Sequence, residues 1–577
     1  MKLPENEIRK FSSNKLENNI KYTIVHDENI KNASVCVCIK AGSFNNPKDY
    51  HGLAHFLEHM LFLGSKKYPK ENHFEESLKC HGGSTNAYTA SYETVYYFSV
   101  NNKYLEEILD IFSRFFIDPL FSKDSVSREI NAIHSEHMKN YNNDLWRLNH
   151  FVNTISKKDS IMNRFTTGSL ETLDKPDIRE KMMEFYNNYY CSDNMTITVI
   201  SPDEIESVEK IFTNIFNNIP SKKSIENTII KKEPYFDNKN MEYQIIPIVD
   251  TINIYYIWEI PLKINFLKNK IFSIIDYVIE DDSESNLEQI LFKKNLIKTL
   301  SCYVLDGGIF VLNIYINRDY SENIKETIKI INQYVKYYID NLENLDWNKI
   351  YDYIQKKNLL LFNNSKISDE LDLIDDITIN MHYYTKEHYY SGDKIIIDKE
   401  YDILKEELKS IKFNNCFIIY SLQEELEKAS FQTEPIYKSK YHILTNSLIG
   451  NEINFDFSID LDNNYINIKP KNVEDLDKNK YPKLLCKRLW YGGMSKFNNP
   501  KIIGNILMDN GKLFNNLEKF VITLLSINVI NYKISKNFSK EFELGYIFLY
   551  SYNLITSSIY ININGFNNKY NLFFDES

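Results

Sequence analysis

One succession of elements runs through this chain twice. Residues 20–43 (IKYTIVHDENIKNASVCVCIKAG) read as two strands around a polar turn. Amphipathic helices are expected over 47–64 and 71–81, strands in GGSTNAYTASYETVYYFSV, and helices over 102–118 and 122–150. A strand in YCSDNMTITVIS (190–201) and a helix over 202–217 close the run. From about 236 to 425 the same order returns. It has the strand INIYYIWEI, helices at 269–281 and 286–295, and strands in TLSCYVLDGGIFVLNIYI. Long helices at 321–341 and 346–362 follow, then the closing strand NCFIIYSL. With 577 residues the chain is too long for one core. The repetition predicts an α+β protein of tandem homologous domains, each a mainly antiparallel sheet covered by helices. The expected limits are 1–225 for a first domain, 236–425 for a second copy, and 441–577 for a partial third. Polar linkers are expected at SKKSIENTIIKKEPYFDNKN and EELEKASFQTEPIYKSK. The third region reads as strands with little helix, stops directly after a strand, and is expected to be truncated.

Composition narrows the functional classes. At 43% hydrophobic and 25% charged residues the chain reads as folded and soluble. A net charge of -11 argues against a nucleic-acid partner, which needs a basic footprint. The start MKLPENEIRKFSSNK has no apolar signal core, and stretches such as FVITLLSINVI fall short of the ~20 residues of a membrane span, so no membrane partner is expected. Seven scattered cysteines without a CxxC pair read as reduced thiols, and a cytoplasmic location is expected. Cys36 and Cys38 fall two apart in a strand, share one face, and should pack.

The chemistry is concentrated in His55-Phe56-Leu57-Glu58-His59. Histidines four apart project from one helix face, and two neutral imidazoles suit zinc. Glu58 sits at the edge of that face, where a carboxylate can take a proton from water without ligating the metal. The motif is the inverse of HExxH. Zinc held by two histidines needs a third protein ligand and an open position. The segment VSREINAIHSEHMK offers Glu129 and Glu136, two turns apart on one helix face. One can bind the metal; the other, about 10 Å along the axis, can support a ligand or meet a substrate.

HGLAHFLEHMLFLGSKKYPKENHFEESLKCHGGSTNAYTASYETVYYFSV, followed by REINAIHSEHMKNYNNDLWRL, resembles the catalytic domain of the pitrilysin family, in its insulysin branch. Members carry HxxEH and a third glutamate ligand about 75 residues further on; Glu136 lies 77 residues after His59. The resemblance implies one zinc ion per chain on His55, His59 and Glu136, with Glu58 as general base and Glu129 as a second active-site glutamate. It implies that peptide is laid along Gly83-Ser84-Thr85-Asn86-Ala87-Tyr88. Gly83, Ser84, Asn86, Ala87 and Tyr88 would bind substrate, with Trp146 as an aromatic lining the site. Adding a substrate strand to a sheet edge reads the backbone and leaves side chains loosely read. The implied function is a zinc metalloendopeptidase acting on short or unfolded polypeptides. The alternative is a weak or inactive peptide-binding or assembly subunit derived from one. Family members have four homologous domains in two halves around a peptide chamber, so a second copy or another chain is an expected partner that completes the chamber. The family's glycine-rich segment in domain two is matched here by EDDSESNLEQIL, which lacks the glycines.

Overall fold

The computed structural model describes residues 1–221, 234–237, 239–260, 270–306, 308–318, 323–365, 368–451, 453–461, 483–486, 489–491, 501–509, 517–553 and 558–566. Its first sheet is built from β1 (Lys10–Lys15), β2 (Lys21–His26), β3 (Asn32–Ile39), β4 (Ser84–Thr89), β5 (Thr94–Asn101) and β6 (Met195–Ser201). The strand order is β1-β2-β6-β3-β5-β4, with β2 and β6 parallel and the other pairs antiparallel. The connections carry α1 (Leu53–Leu61), α2 (His73–Cys80), α3 (Leu105–Ile117), α4 (Lys123–Asn140), α5 (Asp144–Thr154), α6 (Leu170–Leu173) and α7 (Ile178–Tyr189). After β6 comes α8 (Ile205–Phe216).

The second sheet repeats this plan. It contains β7 (Glu242–Ile245), β8 (Asn253–Glu259), β9 (Ile297–Leu305), β10 (Ile309–Ile316), β11 (Phe417–Ser421), β12 (Gln432–Thr433) and β13 (Lys440–Ile443). The series β7-β11-β8-β10-β9 matches β2-β6-β3-β5-β4 strand for strand, again with one parallel pair followed by antiparallel ones. Between β8 and β9 lie α9 (Ile271–Ile279) and α10 (Leu287–Lys293), in the places of α1 and α2. The sequence of α9, IFSIIDYVI, has no histidine, so the second copy lacks the imidazole pair. Next come α11 (Ile324–Asn341), α12 (Trp347–Asn363), α13 (Glu370–Tyr383) and α14 (Tyr401–Ser410).

Several expectations need correction. The helix expected over 122–150 is two helices, because the Asn143 side chain accepts from the amides of Leu145 and Trp146 and starts a new helix. Strands β1 and β7 and helices α6, α7, α13 and α14 were not foreseen. The segment expected as a linker at 424–440 holds β12, and β13 joins the second sheet beyond the expected limit of 425. The third region is not poor in helix: α15 (Leu517–Asn537) contains FVITLLSINVI, and a continuous run of this length suits a helix even with several β-branched residues. Beyond Phe566, the tail expected to end on a strand lies outside the described residues, as does most of the expected linker at 221–240.

The core positions the site. One face of the first sheet packs under α1, α2, α3, α7 and α8 in a cluster that includes Phe56, Leu57, Phe98 and Phe112. The opposite face, with Val25, Cys36, Cys38, Val95 and Ile200, is covered by Leu373, Ile374, Ile377 and Met381 of α13. Cys36 and Cys38 are both fully buried there. No helix among the described residues is long and apolar enough to cross a membrane.

Candidate active site

Helix α1 buries Leu53, Ala54, Phe56, Leu57, Met60 and Leu61, which leaves His55 and His59 on its remaining face. Helix α4 buries Ile130 and Ile133 and lies against α1, so Glu129 and Glu136 look onto the same face. Three donor atoms converge. His55 Nε2 and His59 Nε2 are 3.2 Å apart, and Glu136 Oε2 is 3.5 Å from the first and 3.8 Å from the second. Tetrahedral zinc with bonds of about 2.0–2.1 Å sets its ligand atoms about 3.3 Å apart, so this donor set fits that ion. The Glu136 side chain is 45% exposed, which leaves a side of the cluster open.

The next shell fixes the imidazoles. His55 Nδ1 lies 2.8 Å from the Thr167 carbonyl, which can only accept; Nδ1 therefore carries the proton and Nε2 presents its lone pair. His59 Nδ1 meets Glu129 Oε2 at 3.3 Å, with the same consequence. Burial alone would lower the pKa of His59, but hydrogen bonding to Glu129 and the charges of Glu58, Glu129 and Glu136 outweigh it and hold it above the usual value. Thr167 reaches His55 because two glycine backbones touch. Gly52 precedes α1 at φ +84°, Gly168 follows Thr167 at φ +88°, and a Cβ on Gly52 would come within 2.3 Å of Gly168 Cα.

Glu58 is 7% exposed, and its Oε2 accepts the Thr89 hydroxyl at 2.6 Å. Burial raises its pKa above the usual value, against the opposing pull of His55, Thr89 and His59. His55, Glu58, His59, Glu136, Trp146 and residues 86–89 line one cleft of about 330 Å³.

Among the described residues, β4 has a neighbour on one side only and forms one of the two edges of the first sheet. The Ala90 amide donates to Glu93 O, so the alternation of an antiparallel ladder turns residues 84, 86 and 88 toward β5. The amides and carbonyls of Thr85, Ala87 and Thr89 then face the open edge, where an extended peptide can pair.

The residues expected to meet substrate divide. Asn86, Ala87, Tyr88 and Trp146 line the cleft, and Trp146 is 40% exposed. Tyr88 offers backbone only: its ring is on the opposite face, with its hydroxyl donating to Asp375 at 3.0 Å. Gly83 and Ser84 do not line the cleft, and Gly83 is needed because a Cβ would come within 2.4 Å of Ser99 O. Thr89, Thr166 and Thr167 line it and were not foreseen. Thr89 could have been found from strand alternation, since it shares a face with Ala87; nothing local marks the other two.

The insulinase (peptidase family M16) model matches residues 21–159, the peptidase M16 inactive-domain model matches 177–351, and the model of the middle or third domain of peptidase M16 matches 362–577. An insulin-degrading enzyme homolog of Dictyostelium discoideum is 34% identical over 337 residues, covering 57% of this chain and 35% of the relative. Human insulin-degrading enzyme is 27% identical over 524 residues, 87% of this chain and 51% of its own length. The chain thus spans about a third to a half of these relatives. The crystal structure of pitrilysin superposes with a TM-score of 0.79 at 21% identity, covering 100% of this chain and 62% of that one, and shows the same fold.

Proposed function

We propose that this chain, which belongs to peptidase family M16, is a zinc-dependent endopeptidase that cleaves short or unfolded polypeptides. The observation that carries the reading is the convergence of His55, His59 and Glu136 beside the buried Glu58, at the foot of an unpaired strand edge. His55, His59 and Glu136 would hold one zinc ion. Bound there, zinc supplies Lewis acidity, making water more acidic and the scissile carbonyl more electrophilic.

The chain's own groups do the rest. The free amides and carbonyls of Thr85, Ala87 and Thr89 pair with the peptide backbone and bring one peptide bond over Glu58. Glu58 takes a proton from the attacking water as the water oxygen bonds to the carbonyl carbon. It then returns that proton to the amide nitrogen as the C–N bond breaks. The Thr89 hydroxyl keeps the Glu58 carboxylate aimed, and Glu129 with the Thr167 carbonyl keeps both imidazoles oriented.

Backbone pairing reads shape more than sequence, which supports unfolded peptides as substrates. A second copy or another chain completing the chamber belongs to the same proposal; specific activity that rises with protein concentration would support it. The test of the main reading is elemental analysis of the purified chain together with cleavage of a quenched peptide, with and without a chelator. About one zinc per chain and chelator-sensitive cleavage are expected. Zinc without cleavage at any protein concentration would leave the peptide-binding alternative.

A further inference from the structure

A second cavity of about 190 Å³ adjoins the first. Thr89, Trp146 and Thr166 line both, so the two spaces share a wall where the substrate strand would pass. The first domain contributes Phe44, Trp146 and Phe165, and the second contributes Leu305 at the end of β9 and Asp306 in the turn to β10. Tyr437, from the segment before β13, closes one side.

The charges in this cavity are unequal. Among the described residues, no lysine or arginine lines either space. His150 is already held by Glu434 at 3.0 Å, and that carboxylate also accepts the amides of Ile436 and Tyr437. Asp306 is exposed, and one of its oxygens, Oδ2, accepts the Ser91 hydroxyl at 2.5 Å. Its Oδ1 has no partner among the described residues. The space therefore has mixed walls, with Phe44, Phe165 and Leu305 beside neutral polar groups such as Asn149 and Asn153, and one available negative charge at its rim.

We propose that this second cavity is a substrate subsite for a lysine or arginine side chain, with Asp306 as its specificity-determining residue. The inference rests on the peptidase reading. A long cationic side chain has the matching anatomy: methylenes that lie along Phe44, Phe165 and Leu305, and a charged head that reaches a carboxylate in water. The exposed Trp146 ring adds a face that attracts a cation. A carboxylate side chain would bring like charge to Asp306 with no cation to offset it. The chain runs from Thr89, which touches Glu58, to Ser91, which touches Asp306. Two residues span at most about 7 Å, so the selected side chain lies about two residues from the cleaved bond.

The test uses quenched peptides that differ in a single residue, arginine, norleucine or glutamate, placed in turn at each of the three positions on either side of the cleaved bond. At one position the wild-type protein should prefer arginine over norleucine by about five- to tenfold in kcat/KM, the strength of a partly exposed ion pair, and should cleave the glutamate peptide worst. Asp306→Asn keeps an acceptor for Ser91 and should bring the arginine-to-norleucine ratio close to one. An unchanged ratio in that variant, or no arginine preference at any position, overturns the proposal. Cleavage of the norleucine peptide tests the peptidase reading separately. Should no peptide be cleaved, the same ratio is read from binding of the three peptides by fluorescence anisotropy. A preference for arginine that Asp306→Asn removes would then support the subsite without the enzyme.

Discussion

Glu58 and His59 are adjacent in sequence and differ in duty, because one helix position turns Nε2 toward Glu136 and the other turns a carboxylate toward Thr89. Glu58→Gln keeps the shape and every proposed metal ligand but cannot accept a proton. Turnover should fall by ~10²–10⁴-fold with zinc content unchanged, and wild-type turnover in the variant would remove Glu58 from the role of base. Glu129 acts through His59. Glu129→Gln should weaken zinc affinity about 10–100-fold, measured by competition with a chromophoric chelator, while much of the activity returns at saturating zinc. His55, Glu58 and His59 were legible in the sequence because helical periodicity alone unites them. Periodicity alone left the division of labour between Glu129 and Glu136 open, since residues seven apart share a face; the family resemblance, through its ligand spacing, pointed to Glu136, and packing of α4 on α1 brings Glu136 to the donor cluster. Thr167 was invisible for a simpler reason: it contributes a backbone carbonyl, which any residue has.

Among the elements, most alternating strands and periodic helices were readable in order, with ends shifted by a few residues, while β1, β7, α6, α7, α13 and α14 were not. The break at 141–143 was not, because the helical pattern continues on either side of the Asn143 cap. The approach of the 165–168 loop to α1 depends on two positive-φ glycines. Gly168→Ala would strain φ and bring Cβ within 2.7 Å of Leu173 Cδ1, at a cost of about 1–3 kcal/mol. The loop should then relax away from His55, so that the melting temperature and zinc affinity fall together; loss of stability with affinity intact would disconnect Thr167 from the site. The seam between α13 and the sheet has its own pH dependence. Burial lowers His382 to about 3, helped by Lys40, whereas an unfolded histidine titrates near 6.5. Between those values the unfolded chain binds a proton that the folded chain refuses. Stability from this residue is thus complete above about pH 6.5 and is lost as the pH falls toward 3. Wild type should lose thermal stability between pH 7 and 5 more steeply than His382→Gln, and parallel curves would rule this out.

At the scale of the whole molecule, the repeat was legible because both copies keep one strand–helix order, and the two sheets match strand for strand. What the sequence hid is that α13, which follows the second copy's long helices, crosses back to the first sheet. An apolar stripe on a helix says that the helix is buried, not which sheet buries it. This crossing bears on the first domain's independence. Val25, Cys36, Cys38, Val95 and Ile200 are each 0% exposed, and they lie beneath α13. At about 1.5–3 kcal/mol for each large apolar side chain fully buried, uncovering this face forfeits roughly 5–10 kcal/mol, an upper figure because unfolded chains already bury some surface. Whole-domain stability is about 5–15 kcal/mol, so the loss is large enough to decide the outcome. Residues 1–225 expressed alone should therefore bind a hydrophobic dye, self-associate and unfold without a sharp transition, even though they contain every proposed zinc ligand. Residues 1–443, which restore α13 and the second sheet, should remain monodisperse and melt cooperatively. A monomeric 1–225 fragment with a sharp transition and no dye binding would mean that the first sheet is stable with that face bare. The α13 contact would then be a docking surface between two self-sufficient domains, not part of a shared core.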